Sequence, residues 1–298
     1  MCRIFLFSIF TQTQHSKLLL HKMCEIHNFE FDDINEGYIY LVNLLLNDPD
    51  WHEDVEFEGS GKGIYINKKS RSHLENVRVV FRHPETFKGW MVKCNDRSGV
   101  MNDYAKKEAD LFDKGVIDST EMGKISRVWK TIANPDGTIN ANYGFMVYHL
   151  KDAGNALFTR KEEFRSQIQV CEDTLKKNIY SLQAVMHFHR PKDQYSGNLD
   201  QPCTMYVQFR VRDNKLGLIC NMRSNDVIYG MPYNVSYFLL LQKRMVEYLN
   251  LCNSNGECDF SKMTSPTKKM EIGVLIHNVT SLHLYDDKID IAKKIVGY

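Results

Sequence analysis

The run Pro202-Cys203-Thr204-Met205-Tyr206-Val207-Gln208-Phe209-Arg210-Val211-Arg212, then Asp213-Asn214, then Lys215-Leu216-Gly217-Leu218-Ile219-Cys220-Asn221-Met222-Arg223-Ser224-Asn225-Asp226, reads as a β-hairpin. Two segments rich in β-branched and aromatic residues flank a two-residue turn. With Asp213 and Asn214 at the turn, Arg212 pairs with Lys215. Counted back residue for residue, Cys203 then faces Ser224 and neighbours Arg223. A guanidinium beside a thiol favours the thiolate, the nucleophilic form of cysteine. The hairpin presents an armed cysteine at a strand end.

The rest of the composition is that of an ordinary globular protein. The chain has 298 residues, 43% hydrophobic and 25% charged; a chain of this size buries about three quarters of its unfolded surface. A formal net charge of +1 offers no general attraction to nucleic acid or anionic membrane, so no direct nucleic-acid partner is expected and anions must be bound by local arginines and lysines. No run approaches the roughly 20 apolar residues of a membrane-spanning helix. The eight cysteines, at 2, 24, 94, 171, 203, 220, 252 and 258, form no compact disulfide framework, which points to reduced thiols and the cytoplasm. Residues 4–10 are apolar but lead to no small-residue cleavage site, so they are not read as a signal sequence. Residues 1–22 are expected to be an extension outside the fold, and 23–298 a single domain. The trio His21, Cys24 and His27 has ligand-like spacing but lacks a fourth partner, so no metal is expected.

Along the chain, Asp32-Asp33 offers a cap for a helix carrying Ile34, Tyr38, Leu41, Leu44 and Leu45 at helical spacing. Residues 52–102 read as loops and strands. Helices are predicted over 102–112, 160–177 and 233–249, and strands over 182–188 and 272–285. With no repeats and no obvious linker, the pattern predicts one α+β domain.

Five pieces in order carry a resemblance: Ile139-Asn140-Ala141-Asn142-Tyr143-Gly144, Cys203-Thr204, Asn221 to Val227, Gly230 with Asn234, and Ser281-Leu282-His283-Leu284-Tyr285. Together they resemble the thymidylate synthase superfamily, and more closely its phage-type deoxycytidylate hydroxymethylase branch. The resemblance implies a mixed β-sheet covered by helices, a sheet-mediated homodimer, and a host-cytoplasm location for a phage enzyme. It also implies a pyrimidine deoxynucleoside monophosphate as substrate and 5,10-methylenetetrahydrofolate as co-substrate.

By that resemblance Cys203 adds to carbon 6 of the pyrimidine, turning a poor carbon nucleophile at position 5 into an enolate. Arg223 and Ser224 match phosphate ligands, for which a forked guanidinium is well suited. Glu108 matches the general acid/base, with Asp110 the competing choice on the same charged helix. Tyr143 matches the tyrosine that assists proton removal from carbon 5, Trp129 a wall of the folate site, and Asp226 the carboxylate that orients the pterin. His283 and Tyr285, alternating on a strand and so sharing a face, match the pair that holds the deoxyribose 3′-hydroxyl. Asn234 matches a residue that is asparagine in uracil-specific and aspartate in cytosine-specific members.

The chain departs from the family in places. Where relatives carry Ser-Arg-Arg, with arginines that reach the partner subunit's phosphate, it has Ser181-Leu182-Gln183. Lys62 in Gly59-Ser60-Gly61-Lys62-Gly63, or Lys68, Lys69 or Arg71, is the expected substitute. The family's Trp-x-x-Trp is reduced to Trp129 with Ile132, and only thirteen residues follow Tyr285. Both departures favour addition of water over hydride transfer, because a closing lid excludes water. The expected reaction is 5-hydroxymethylation of dUMP; synthesis of dTMP and hydroxymethylation of dCMP remain as alternatives, and a non-catalytic nucleotide-binding relative is a more distant one.

Overall fold

The computed structural model describes residues 26–58, 66–150, 165–257 and 269–298. Within these, the elements run β1 (His27–Phe31), α1 (Ile34–Asn47), β2 (Trp51–Glu58), β3 (Ile66–Phe81), α2 (Asn95–Asp113) and two short helices, α3 (Ser119–Met122) and α4 (Val128–Thr131). They continue as α5 (Gln167–Lys177), β4 (Val185–His187), β5 (Thr204–Arg212), β6 (Lys215–Met222), β7 (Asn225–Asp226), α6 (Met231–Ser254), β8 (Glu271–Tyr285) and α7 (Ile289–Val296). Residues 1–25, including the expected extension, His21 and Cys24, lie outside the described residues, and His27 instead bonds the Asp50 carboxylate at 2.9 Å.

The hairpin forms as expected: Asp213 and Asn214 both have positive φ, 50° and 60°, and Arg212 opposes Lys215. A tight turn with left-handed backbone at both positions matches the right-handed twist of the strands it joins. Among the described residues all eight strands join one mixed sheet in the order β1-β3-β8-β6-β5-β4, with β2 also on β3 and β7 also on β8. The long strands β3 and β8 run antiparallel, while β6 and β7 both pair with β8 in parallel. Met222 opposes Val279 and Asn225 opposes Leu282, so β7 resumes the register of β6 after Arg223-Ser224 steps out of the ladder.

One face of the sheet carries Val207, Phe209, Leu218, Cys220, Leu275 and Val279, all buried against α6 and its neighbours. The β6–β8 register slips between Leu216 and Leu218, and α6 repairs the slip. The Gln242 amide, fully buried, donates to the carbonyls of Leu216 (2.7 Å) and Gly273 (3.0 Å). Stranded carbonyls in a dry core cost about 1–3 kcal/mol when left unpaired. Gln242→Leu is therefore expected to destabilise the fold by about 1–3 kcal/mol in urea denaturation; an unchanged midpoint would show that the slip needs no such partner.

The remaining differences from expectation have local causes. α2 begins at Asn95 rather than 102, because the Asn102 amide grips Trp90 N–H and C=O while the Ser98 hydroxyl accepts from Val92 N–H. These bonds fold the preceding loop onto a helix start too polar to show in hydrophobic periodicity. α5 begins at Gln167, where Ser166 and Gln169 form a capping box; most of the expected 160–166 extension lies outside the described residues. The strand expected over 182–188 shortens to Val185–His187 at the sheet edge, preceded by a turn in which Gln183 N–H bonds the Ser181 hydroxyl. Helix α1 is capped as predicted, Asp33 accepting from Glu36 N–H at 2.8 Å.

Candidate active site

The register counted from the turn holds as far as Tyr206 opposite Asn221 and then fails by one residue. A bulge at Met205 places Thr204 opposite Met222, and Cys203 C=O accepts from Arg223 N–H at 2.9 Å. Arg223, not Ser224, is thus the backbone partner of Cys203. The Ser224 hydroxyl still reaches the half-buried thiol.

The electrostatics differ from expectation as well. Burial pushes the Cys203 thiol above its ordinary pKa, outweighing the opposing pull of Arg223 and Ser224; Asp200 and Asp226 add to the upward push. The reason is visible in Arg223, an exposed side chain whose guanidinium donates to Gln201 C=O (2.9 Å) and Pro202 C=O (3.3 Å). A cation in high dielectric does not offset the desolvation of the thiolate. In the free protein Cys203 is therefore a thiol at neutral pH.

Asp200, absent from the sequence-based candidates, ties two of the site segments together. Its buried carboxylate accepts from Ala141 N–H at 2.9 Å and from Asn140 N–H, in the loop leading to Tyr143. Asp200 lies three residues before Cys203, so this anchor sets the thiol against Tyr143. Thr204 N–H donates to the Tyr143 hydroxyl at 3.2 Å, and the phenol is close enough to Cys203 for the thiol charge to raise its pKa further. Gly144 is required here: a Cβ would stand 2.0 Å from Phe112 C=O, where this loop crosses the end of α2.

A second group comes from α2. Met101, Tyr104, Glu108 and Phe112 lie on its inward face, whereas Asp110 is exposed. Burial separates the two competing carboxylates: it pushes Glu108 up to about 7, against the lowering effect of its Tyr104 hydrogen bond. The Tyr104 hydroxyl donates to Glu108 Oε1 (2.9 Å) and accepts from Trp129 Nε1 (3.2 Å), and its ring packs on Tyr233 with centroids 4.1 Å apart. Tyr104 is the residue that sequence reading missed in this group. Its signal was the spacing of four from Glu108, which stacks the two on one helix face. Phe112 contacts both Trp129 and Tyr143 edge-on or tilted, linking this group to the thiol's neighbours.

A third group lines the end of β8. His283 and Tyr285 meet edge to face with ring centroids 4.9 Å apart. Burial holds His283 at about 4, so the ring is neutral at physiological pH, with Nδ1 3.4 Å from Ser281 C=O and Nε2 left as an acceptor. Asp226 opposes His283 in the β7–β8 ladder; its Oδ1 accepts from Ile228 N–H (2.7 Å) and Tyr229 N–H (3.2 Å). Burial nevertheless raises its pKa, and Asp226 and Cys203 both act on the Tyr285 phenol. Arg71 opposes Tyr285 across the β3–β8 ladder, bonds its hydroxyl and ion-pairs with Glu53 at 2.7 Å. Asn234, in the first turn of α6, accepts from Asn225 Nδ2 at 3.0 Å.

The described structure thus brings Cys203, Arg223, Ser224, Asp226, Tyr143, His283 and Tyr285 to one place, with Glu108 and Trp129 joined through Tyr104 and Phe112. Ser181-Leu182-Gln183 lies apart at the sheet edge, with Leu182 exposed and its C=O bonded by the Gln208 amide. Lys62 and the side chains of Lys68 and Lys69 lie outside what is described. Among the described residues no group of three histidines, cysteines or carboxylates is placed to hold a metal, and no helix is long and apolar enough to cross a membrane.

The family model of thymidylate synthase matches residues 106–255, half of the chain and most of this site. The chain belongs to the thymidylate synthase family. It is an enzyme of that family, whose members with similar sequence include the deoxycytidylate 5-hydroxymethyltransferases of Enterobacteria phages T6 and T4. These are 29% and 28% identical over 193 residues, covering 63% of this chain and 69% of each relative. The thymidylate synthase of Bacillus phage phi3T is 28% identical over 174 residues, 58% of this chain and 53% of that protein. In three dimensions the chain resembles thermostable thymidylate synthase A from Bacillus subtilis, with a TM-score of 0.61 over 89% of this chain and 84% of that one. At 19% identity that likeness speaks for the shared fold.

Proposed function

We propose that this thymidylate synthase-family enzyme transfers a one-carbon unit to carbon 5 of dUMP and leaves it as a hydroxymethyl group. The observation that carries the reading is Cys203, mostly buried but not sealed off, beside Tyr143 and Ser224, within one site that also holds a buried Glu108 poised at about 7. Cys203 gives up its S–H proton to solvent and adds to carbon 6. The carbon 5–carbon 6 double bond opens toward the base carbonyl, where Glu108 donates a proton so that charge does not build on the ring. After the one-carbon unit is attached, Tyr143 assists loss of the carbon 5 proton as tetrahydrofolate departs. Water adds to the exocyclic methylene left behind to give the hydroxymethyl group, and Cys203 is released as the ring double bond re-forms.

5,10-Methylenetetrahydrofolate supplies the one-carbon unit when bound. The residues fit it: Asp226 spends Oδ1 on backbone N–H groups, and its Oδ2 has no hydrogen bond among the described residues. Trp129 is buried, its indole N–H given to Tyr104 and its ring against Phe112, so it backs this side of the site rather than presenting an open face. Arg223 and Ser224 hold the nucleotide phosphate, with Arg71, which bonds the Tyr285 hydroxyl, as a supplementary cation, and His283 with Tyr285 holds the sugar hydroxyl. A second copy of the chain would cover the open sheet face that carries Gln208, Arg210, Ile219, Asn221, Ile276 and Asn278.

A family with both outcomes needs a test that separates them. With dUMP and the folate, dihydrofolate appearing in step with product would indicate methylation and overturn the hydroxymethyl reading. Hydroxymethylation of dCMP is the second reading, favoured by the phage relatives at 29% identity. Asn234 argues for uracil, because an amide donates to O4 where an aspartate would accept from a cytosine amino group. Asn234→Asp is therefore expected to shift the dUMP-to-dCMP ratio of kcat/KM toward dCMP by at least about 10²-fold. An unmoved ratio would remove Asn234 from base choice.

A further inference from the structure

We propose that Asn225 decides base choice by locking the orientation of the Asn234 amide, an inference that rests on the uracil reading above. Asn225 is 2% exposed, and its side-chain N–H₂ donates to Asn234 Oδ1 (3.0 Å) and meets Met222 Sδ (2.8 Å). Both contacts are acceptors, so the amino group belongs on that side of Asn225; turning the amide over would set its oxygen against a sulfur lone pair and another carbonyl. With Oδ1 of Asn234 committed inward, its own amino group is the end left for a ligand. It makes no hydrogen bond among the described residues.

The opposite end of Asn225 is confined by packing alone, with no hydrogen-bond partner for its oxygen among the described residues. Its Oδ1 is buried, and a Cβ at Gly230 would stand 2.9 Å from it and 2.8 Å from Asp226 C=O. Gly230 therefore leaves room for the Asn225 amide where any side chain would displace it. Met222, Asn225 and Gly230 form a cradle whose one polar output is a donor at Asn234. A donor complements O4 of uracil and repels the amino group of cytosine, since two donors facing each other in a dry site leave both unpaired.

Asn225 is a positioning residue here: it touches Asn234 rather than the base. The test is calorimetric titration of dUMP and dCMP into the parent protein, Asn225→Leu and Asn225→Ala. Leucine keeps the volume and removes the donor; alanine guards against a packing artefact. A general loss of stability weakens both nucleotides alike and cancels in their affinity ratio. The parent is expected to favour dUMP, and both variants are expected to lose that preference by about fivefold or more. A parent that favours dUMP with variants that keep its ratio would overturn the role of Asn225 alone. A parent that favours dCMP, or binds neither nucleotide, would overturn the uracil reading and this inference with it.

Discussion

Cys203→Ser protein is expected to lose turnover by on the order of 10⁴-fold or more, with nucleotide binding and melting temperature little changed. A serine hydroxyl is nearly isosteric but far less acidic, so it supplies almost no nucleophile at neutral pH. The substitution leaves intact the bonds that shape this strand end: Arg223 N–H to Cys203 C=O and Thr204 N–H to the Tyr143 hydroxyl are both backbone donors. Release of tritium from 5-tritiated dUMP reads the step directly, since carbon 5 exchanges only after carbon 6 has been attacked. Exchange at the parental rate would mean that the sulfur does not attack the ring. Because burial keeps the free thiol protonated, alkylation of Cys203 by iodoacetamide should be slow in the free protein at neutral pH.

Glu108→Gln is expected to lower kcat/KM by about 10²–10⁴-fold and to erase one limb of its pH profile. The group titrates at about 7 because burial disfavours its charge. Below that pH the carboxyl is protonated and can donate to the base carbonyl; above it the donor is lost. The parent's kcat/KM should therefore fall as pH rises through about 7, and the glutamine variant should lack that inflection. Glutamine can still accept the Tyr104 hydroxyl through its amide oxygen, so the fold and the Trp129 contact are preserved. The same alkaline limb in the variant would assign the titration to another group.

Much of the fold could be read from the chain because its signals are local. Two left-handed positions at Asp213 and Asn214 specify the hairpin, Asp33 caps α1, and the spacing of apolar residues marks α6 and β8. The thymidylate synthase likeness was also legible, since its motifs are short runs whose order does not depend on packing. Helix α2 was read too short for the converse reason. Its first turns are held by Asn102 and Ser98 bonding to a loop, which leaves no apolar periodicity.

By itself the sequence settled the central hairpin, the last long strand and the family the chain belongs to, and it named candidate side chains for the chemistry. Tertiary structure alone decided how those side chains are poised. A one-residue bulge at Met205 put Arg223 rather than Ser224 across from Cys203, and desolvation rather than Arg223 set the thiol's protonation. Burial singled out Glu108 from Asp110, and the Asn225 cradle chose which end of Asn234 points outward. The division has one physical cause. Backbone preference and motif order depend on near neighbours in the chain, whereas charge state and amide orientation depend on the dielectric and the partners that distant segments bring.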